Sequence, residues 1–354
     1  MKNASLVQKK AIGLYDIVYY GSSNTYPEVV RESYLQCGTA NQCRNIMAEF
    51  LAGDGFLDEN FAAKVVNSSG QTWSDLLDFL AFELATFNGF ALHIKRNIFG
   101  TLEELTPVPF QYCRITNDLH RIAISDNWHG EGIELMNIPD PHYYERWGFE
   151  KQVNSFHDLG AKRGTVYYFA AGTNLQKPYT ESPAHPVLKE IEADIAINQY
   201  TLSGANNNFS ATMLLEVVGN LSIKDREALQ MQINAATGPN AAGKVVVIDG
   251  GTRSADGDMI SSYKLTPIET PNLDKLYIAQ SERITNAIIR NFGIPATLLN
   301  MAQGSNLQGN SDAIKVSYQY MNNKMRKERE NLARRISEIS GLNVEIKNKT
   351  YYEL

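Results

Sequence analysis

Cysteine is scarce in this 354-residue chain: Cys37, Cys43 and Cys113 are an odd set with no C-x-x-C pair. That excludes a disulfide scaffold and a zinc-finger framework, and buried, inert thiols in a reducing cytosol are expected. A large excess of one charge is missing too, since 39 acids face 33 bases for a net charge of −6. Bulk charge therefore cannot hold a nucleic acid, which would need a local patch or an enclosing geometry. The most apolar window, residues 76–94, is broken by Asp78, Glu83 and Asn88. It falls short of the ~20 apolar residues of a membrane helix, so no membrane contact is expected. The first twenty residues carry Lys2, Lys9, Lys10 and Asp16 and no signal-peptide core. What remains is the make-up of a folded chain: 43% apolar, 20% charged, 25 Gly and 12 Pro, with length for two domains.

The N-terminal half mixes helix and strand, an α+β pattern. Pro27 opens a helical stretch through Val30, Tyr34, Ile46, Met47 and Phe50 that Gly53-Asp54-Gly55 stops. Thr72 caps a second helix whose apolar stripe, Trp73, Leu76, Leu77, Leu80 and Leu84, ends at Asn88-Gly89. Strands are predicted at 90–94, 102–105, 112–116, 121–125 and 165–170, while 126–163 shows little periodicity. From Pro186 long helices take over. One carries Leu188, Ile191, Ile195 and Leu202 on a single face, and a second runs from Leu273 to Phe292 and stops at Gly293 and Pro295. Between them lies a small lobe with strands at 212–218, 244–248 and 259–265 and a helix from Ser222 to Ala236. Ser311 caps a last helix with Ile314, Tyr318, Met321, Met325, Leu332, Ile336 and Ile339 on one stripe until Gly341. The loop at 296–310 is rich in Gly, Asn, Gln and Ser, and far longer than the usual connection of about 4–6 residues.

Gly238-Pro-Asn-Ala-Ala-Gly243-Lys244 has the spacing of a phosphate-binding loop but not its setting. Such a loop follows a strand, opens a helix and continues with a Ser or Thr for Mg²⁺; this one follows a helix and leads into the strand at Val245. It is read as a turn. The six histidines have no ligand spacing, so no metal and no cofactor are expected. No G-x-S-x-G elbow or paired carboxylates mark a hydrolase, and no enzyme activity is expected. From Lys315 to Glu338, seven bases (Lys315, Lys324, Arg326, Lys327, Arg329, Arg334, Arg335) face three acids, a surplus of +4. The ordinary reading is a solvated face with i, i+4 pairs, and the alternative is a nucleic-acid or partner surface.

The order of these parts resembles the portal, or head-to-tail connector, proteins of tailed bacteriophages. The resemblance rests on Gly243-Lys-Val-Val-Val-Ile-Asp-Gly-Gly251, then Phe292-Gly-Ile-Pro295 followed by Leu298-Leu299. Asn208-Phe209-Ser210 before Met213-Leu-Leu-Glu-Val217 and Gly219 adds to it, as does Phe87-Asn88-Gly89-Phe90-Ala91 with Gly100, Leu105 and Pro107-Val-Pro109. It implies a wing at 1–183, stem helices at 184–211 and 269–293, a clip at 212–268, a tunnel loop at 294–310, a wing helix at 311–340 and a short crown remnant at 341–354.

The same resemblance puts Asn300, Met301, Gln303, Gly304, Ser305, Asn306, Leu307 and Gln308 in the DNA-facing loop. It puts Asn220, Lys224, Gly238, Asn240, Lys244, Arg253 and Asp256 on the clip, as a docking surface for motor and adaptor. It further implies a dodecameric ring at one vertex of a virion capsid, assembled in the host cytoplasm and contacting the major capsid protein. Double-stranded DNA would pass through it non-specifically in packaging and ejection, with the terminase large subunit and a head-completion adaptor docking on it. The alternatives are a P-loop packaging ATPase, favoured only by Gly238–Lys244, and a capsid or adaptor protein of the same particle.

Overall fold

The computed structural model describes residues 16–97, 99–128, 141–148, 164–173, 177–206, 213–217, 227, 231, 245–249, 263–267, 273–299 and 311–351. The chain divides into two compact units, Met1–Ile191 with Ala287–Leu354, and Glu192–Asn286.

The first unit begins with helices α1 (Tyr26–Gln36) and α2 (Gly38–Ala52). Periodicity predicts one continuous helix here. Cys37 instead takes an extended conformation, φ −107° and ψ 107°, and splits it, so Cys37 and Cys43 do not share a helix. The apolar spacing runs on across the break because both helices bury a face in one core, so the pattern hides the turn. A short helix, α3 (Glu59–Ala62), is capped by the Asp58 carboxylate, which accepts from Asn60 N and Phe61 N. Helix α4 (Trp73–Phe87) follows, with the expected Thr72 cap strengthened by a reciprocal bond from Thr72 N to Asp75 at 2.7 Å. Those bonds hold the Asp75 carboxyl below its usual range. Asn88, left-handed at φ 60°, closes the helix, and the whole predicted stripe is buried.

A six-stranded sheet follows: β1 (Gly89–Arg96), β2 (Leu102–Val108), β3 (Cys113–Ile115), β4 (Arg121–Ile124), β5 (His142–Arg146) and β6 (Thr165–Ala170). Its order is β2-β1-β6-β5-β4-β3, antiparallel except for β5 beside β6. β5 was not visible in the sequence. Its residues are exposed or half-buried throughout, so neither face carries the apolar alternation that marks a strand.

Helix α5 (Leu188–Asn206) starts after a 3₁₀ turn at His185–Val187. Ile191 and Ile195 are buried as expected, but Leu202, assigned to the same face, is 63% exposed. Helix α6 (Leu273–Phe292) buries Ile284, Ile288 and Phe292 and stops at Gly293 with φ 57°. The 296–310 loop is helical at its start, as α7 (Ala296–Leu299), because Leu298 and Leu299 are buried. The last helix, α8 (Ser311–Ser340), follows the predicted stripe, with all but Tyr318 of its apolar positions buried.

Residues 342–351 then run back along the first unit as a strap. Leu57 N donates to Glu345 O at 2.9 Å, Lys347 N to Gly55 O at 2.8 Å and Thr350 N to Asp54 Oδ2 at 2.9 Å. Lys349 pairs with Glu49 at 3.0 Å. A side chain at Gly53 would collide with Lys347 O, so the strap needs glycine there.

In the second unit a three-stranded sheet has the order β8-β7-β9, made of β7 (Met213–Val217), β8 (Val245–Asp249) and β9 (Tyr263–Pro267). β7 runs parallel to β8 and antiparallel to β9. Of the helix predicted from Ser222, only Glu227 and Met231 are described, and both are helical.

Candidate functional site

All the residues assigned to the DNA-facing loop and to the clip docking surface lie outside the described residues. What the structure describes are the mounts of that loop. On its N-terminal side, Leu298 and Leu299 are buried and Leu299 O accepts from Gln42 Nε2 at 3.1 Å. On its C-terminal side, Ile314 is buried, and the Thr297 and Ser317 hydroxyls are hydrogen-bonded at 2.6 Å. Lys324 Nζ donates to Phe292 O and to Gly293 O, taking carbonyls that the end of α6 leaves open. Gly293 is required twice over, by its positive φ and by the ammonium that sits where a Cβ would go. The segment thus leaves from and returns to one packed support, the usual way a functional loop is held.

The root of α5 is fixed just as firmly. Tyr20 and Tyr179 stack with centroids 4.1 Å apart. Tyr179 hydroxyl donates to Val18 O at 2.6 Å and accepts from Ile115 N at 2.8 Å, while Tyr20 hydroxyl donates to Thr180 O at 2.6 Å. Burial pushes both phenols upward in pKa, so they stay neutral donors. Ser182 hydroxyl donates to Thr86 O at 2.6 Å, and Asn291 Nδ2 reaches Pro183 O at 2.9 Å. Beneath lies Arg114, fully buried, which bonds Asn24, Gln111 O, Cys113 O and the Glu28 carboxylate.

The basic run of α8 is not the uniform solvated face that its composition suggests. Arg329 is 3% exposed; it donates to Phe50 O at 2.8 Å and to Asn322 Oδ1 at 3.2 Å, and also bonds Asn348. Burial lowers the pKa of both Arg329 and Lys324, and each is an internal tie. Arg335 stacks on Phe169 and pairs with Glu338 at 3.0 Å, while Arg326 pairs loosely with Glu330 at 3.9 Å. The sequence did carry a signal for Arg329: it fills the gap in the stripe between Met325 and Leu332 at helical spacing.

Among the described residues no cluster of His, Cys, Asp or Glu could hold a metal, and no helix is long and apolar enough to cross a membrane. The three cysteines are buried and form no disulfide, and burial pushes the Cys43 thiol up to about 12, far from a reactive thiolate. β8 begins at Val245, immediately after Gly238–Lys244, where a phosphate loop would open a helix.

A family model described as phage portal protein matches residues 57–338. The chain belongs to this family. The α+β fold and the portal function expected from the sequence both stand, and neither alternative gains support. Among solved structures, the chain is similar to one in the virion of a native gene transfer agent particle. The identity is 12% and the TM-score 0.53, over 91% of this chain and 82% of that one. It is likewise similar to one in the neck of a native gene transfer agent particle computed with C12 symmetry, at 13% identity and TM-score 0.54, over 91% and 83%. At such identities the likeness is one of fold. An HK97 family phage portal protein from Corynebacterium diphtheriae matches at 14% identity and TM-score 0.48, over 81% and 85%. No curated protein matches the chain.

Proposed function

We propose that this portal protein forms a dodecameric ring at one capsid vertex and that double-stranded DNA passes through the ring in packaging and ejection. The family match over 57–338 carries the reading, because it spans α5, the β7–β9 lobe, α6 and nearly all of α8. In this reading residues 1–183 and 311–340 make the wing, 184–211 and 269–293 the stem, 212–268 the clip, and 341–354 take the place of a crown. The 294–310 segment, with Asn300, Met301 and Gln303 through Gln308, faces DNA. The clip, with Asn220, Lys224, Gly238, Asn240, Lys244, Arg253 and Asp256, receives the terminase large subunit and later the head-completion adaptor. The protein performs no catalysis, and ATP hydrolysis belongs to the docked motor.

Net charge fits that task. Each phosphate neutralised by a fixed cation adds affinity through counterion release, so a conduit works best with few such cations and with escape prevented by enclosure. Negative-stain images of the purified protein with its capsid partners test the reading. Rings with a central hole are expected, and a protein that stays monomeric alongside assembled capsids would overturn it. Replacing Met301 and Gln303 by lysine should leave rings intact and slow DNA packaging; unchanged packaging speed would remove this loop from the DNA path.

A further inference from the structure

Among the described residues the six-stranded sheet has a gap. β5 pairs with β6 only at Glu145↔Thr165 and Arg146↔Val166, and Trp147 N then donates to Val166 O before the chain turns at Gly148. β6 continues to Ala170 with its other edge bonded to β1 throughout. Alternation directs the backbone groups of Tyr168 and Ala170 toward the β5 side, where no described strand pairs with them. Thr173 hydroxyl takes Ala170 O at 2.8 Å.

Beside this open edge lies a cavity of about 540 Å³ lined by Arg146, Trp147, Tyr168, Arg334, Arg335 and Glu338, among others. On the α8 side of the sheet Arg334 and Arg335 stand by one carboxylate, whereas the Arg146 guanidinium lies on the other face, over the Tyr168 ring. Glu338 is already committed, accepting from Tyr167 hydroxyl at 3.0 Å and from Arg335 Nη1 at 3.0 Å. Arg335 Nε is buried without a hydrogen-bond partner, an uncommon state for a buried polar atom. Arg334 is exposed, and its guanidinium donates to Asn331 Oδ1 at 2.6 Å. Arg334 and Arg335, beside a strand edge that no described strand pairs, suit an extended peptide that carries carboxylates. A DNA duplex offers arginine its phosphates but has no backbone amides to complete a sheet.

The chain itself contains such a segment. Between Arg121 and Arg146 there is no lysine or arginine, while Asp126, Glu131, Glu134, Asp140 and Glu145 are acidic. Residues 149–163, which leave β5 beside the pocket, lack that surplus: Lys151, Lys162 and Arg163 outnumber Glu150 and Asp158. Residues 129–140 join β5 at the end opposite the pocket, about 13–17 Å away along a five-residue strand. Two complementary features at opposite ends of one element are the requirement for a head-to-tail contact that closes into a ring. We propose that the acidic segment 131–140 of a second copy docks in this pocket, its glutamates on Arg334 and Arg335 and its backbone along the edge of β6. The proposal rests on the ring reading above and names one of the contacts that close it.

The test uses the full chain carrying Glu131→Lys and Glu134→Lys, whose own segments cannot fill the pocket, and a labelled peptide of residues 129–140. The peptide should bind by fluorescence anisotropy. Adding Arg334→Glu should weaken it at least ten-fold with the melting temperature unchanged, and a peptide with both glutamates replaced by lysine should regain affinity for that variant. Absence of binding, or equal affinity with and without Arg334→Glu, overturns the proposal. So does a double-stranded oligonucleotide that binds through Arg334 and displaces the peptide, which would assign the pocket to nucleic acid. Images of the unmutated protein are read separately: rings without peptide binding sink this contact alone, whereas absence of rings alongside capsids sinks the portal reading.

Discussion

Arg114 and Arg335 lie on different parts of the same unit, and both stack on aromatic rings, yet their surroundings differ in kind. Arg114 is fully buried and bonded on every nitrogen, with Asn24, Gln111, Cys113 and Glu28 each taking a share. Arg335 is partly exposed, leaves Nε unbonded and lines a cavity. A satisfied guanidinium is a cross-link, whereas one with a spare donor at a cavity has a hydrogen bond still to give.

That contrast breaks if the stability costs come out equal. Arg114→Ala should destabilise the fold the most, by about 3–5 kcal/mol, because it strands the Glu28 carboxylate and several buried carbonyls. Chemical denaturation measures this, and a loss under 1 kcal/mol would make Arg114 a bystander. Glu83 sits between the two cases. It is buried with its Oε2 accepting from Phe110 N at 2.7 Å, and burial pushes its carboxyl up to about 7 against the pull of Arg31 and Arg44. The folded state keeps that proton where the unfolded chain has lost it, so the stability from Glu83 is complete below about 4.5 and fades as pH rises through about 7. Glu83→Gln should flatten the melting temperature between those limits; an unchanged slope would place the titration elsewhere.

Lys324→Met removes a cap from the two carbonyls that end α6, at a cost of about 1 kcal/mol by thermal melting. Arg334→Glu should change stability by no more than about 0.5 kcal/mol, the effect of a surface substitution, and register only in docking.

Features written in neighbouring residues were legible from the sequence. Thr72 announces the start of α4, and Asn88 with Gly89 its end, because a cap is a contact over three or four residues. Cys37 was not legible as a break, since the two helices it separates share one core and the apolar spacing continues across it. β5 was missed because a half-buried strand at the middle of a sheet carries no alternation, and Arg329, though it sits on the stripe, because a charge there reads as solvated until the Phe50 carbonyl 279 residues away is known to receive it. As for the site, the loop and clip residues came from resemblance to a family, while the arginine pocket came from none of the motifs: its lining joins β5, β6 and α8, which only the fold brings together.

The strap of residues 342–351 also sets an order of events during synthesis. Thr350 bonds Asp54 across 296 residues, and Lys347 and Lys349 reach the same corner. Residues 53–59 leave the ribosome early, but their partners emerge only after the entire second unit has been made. The sheet built from residues 89–170 can form in the meantime, because its strands are close in sequence. The corner between α2 and α8 cannot close until residues 342–351 arrive. The strap therefore docks on the first unit only after the second has been made, so the unit that begins the chain is among the last parts to be completed.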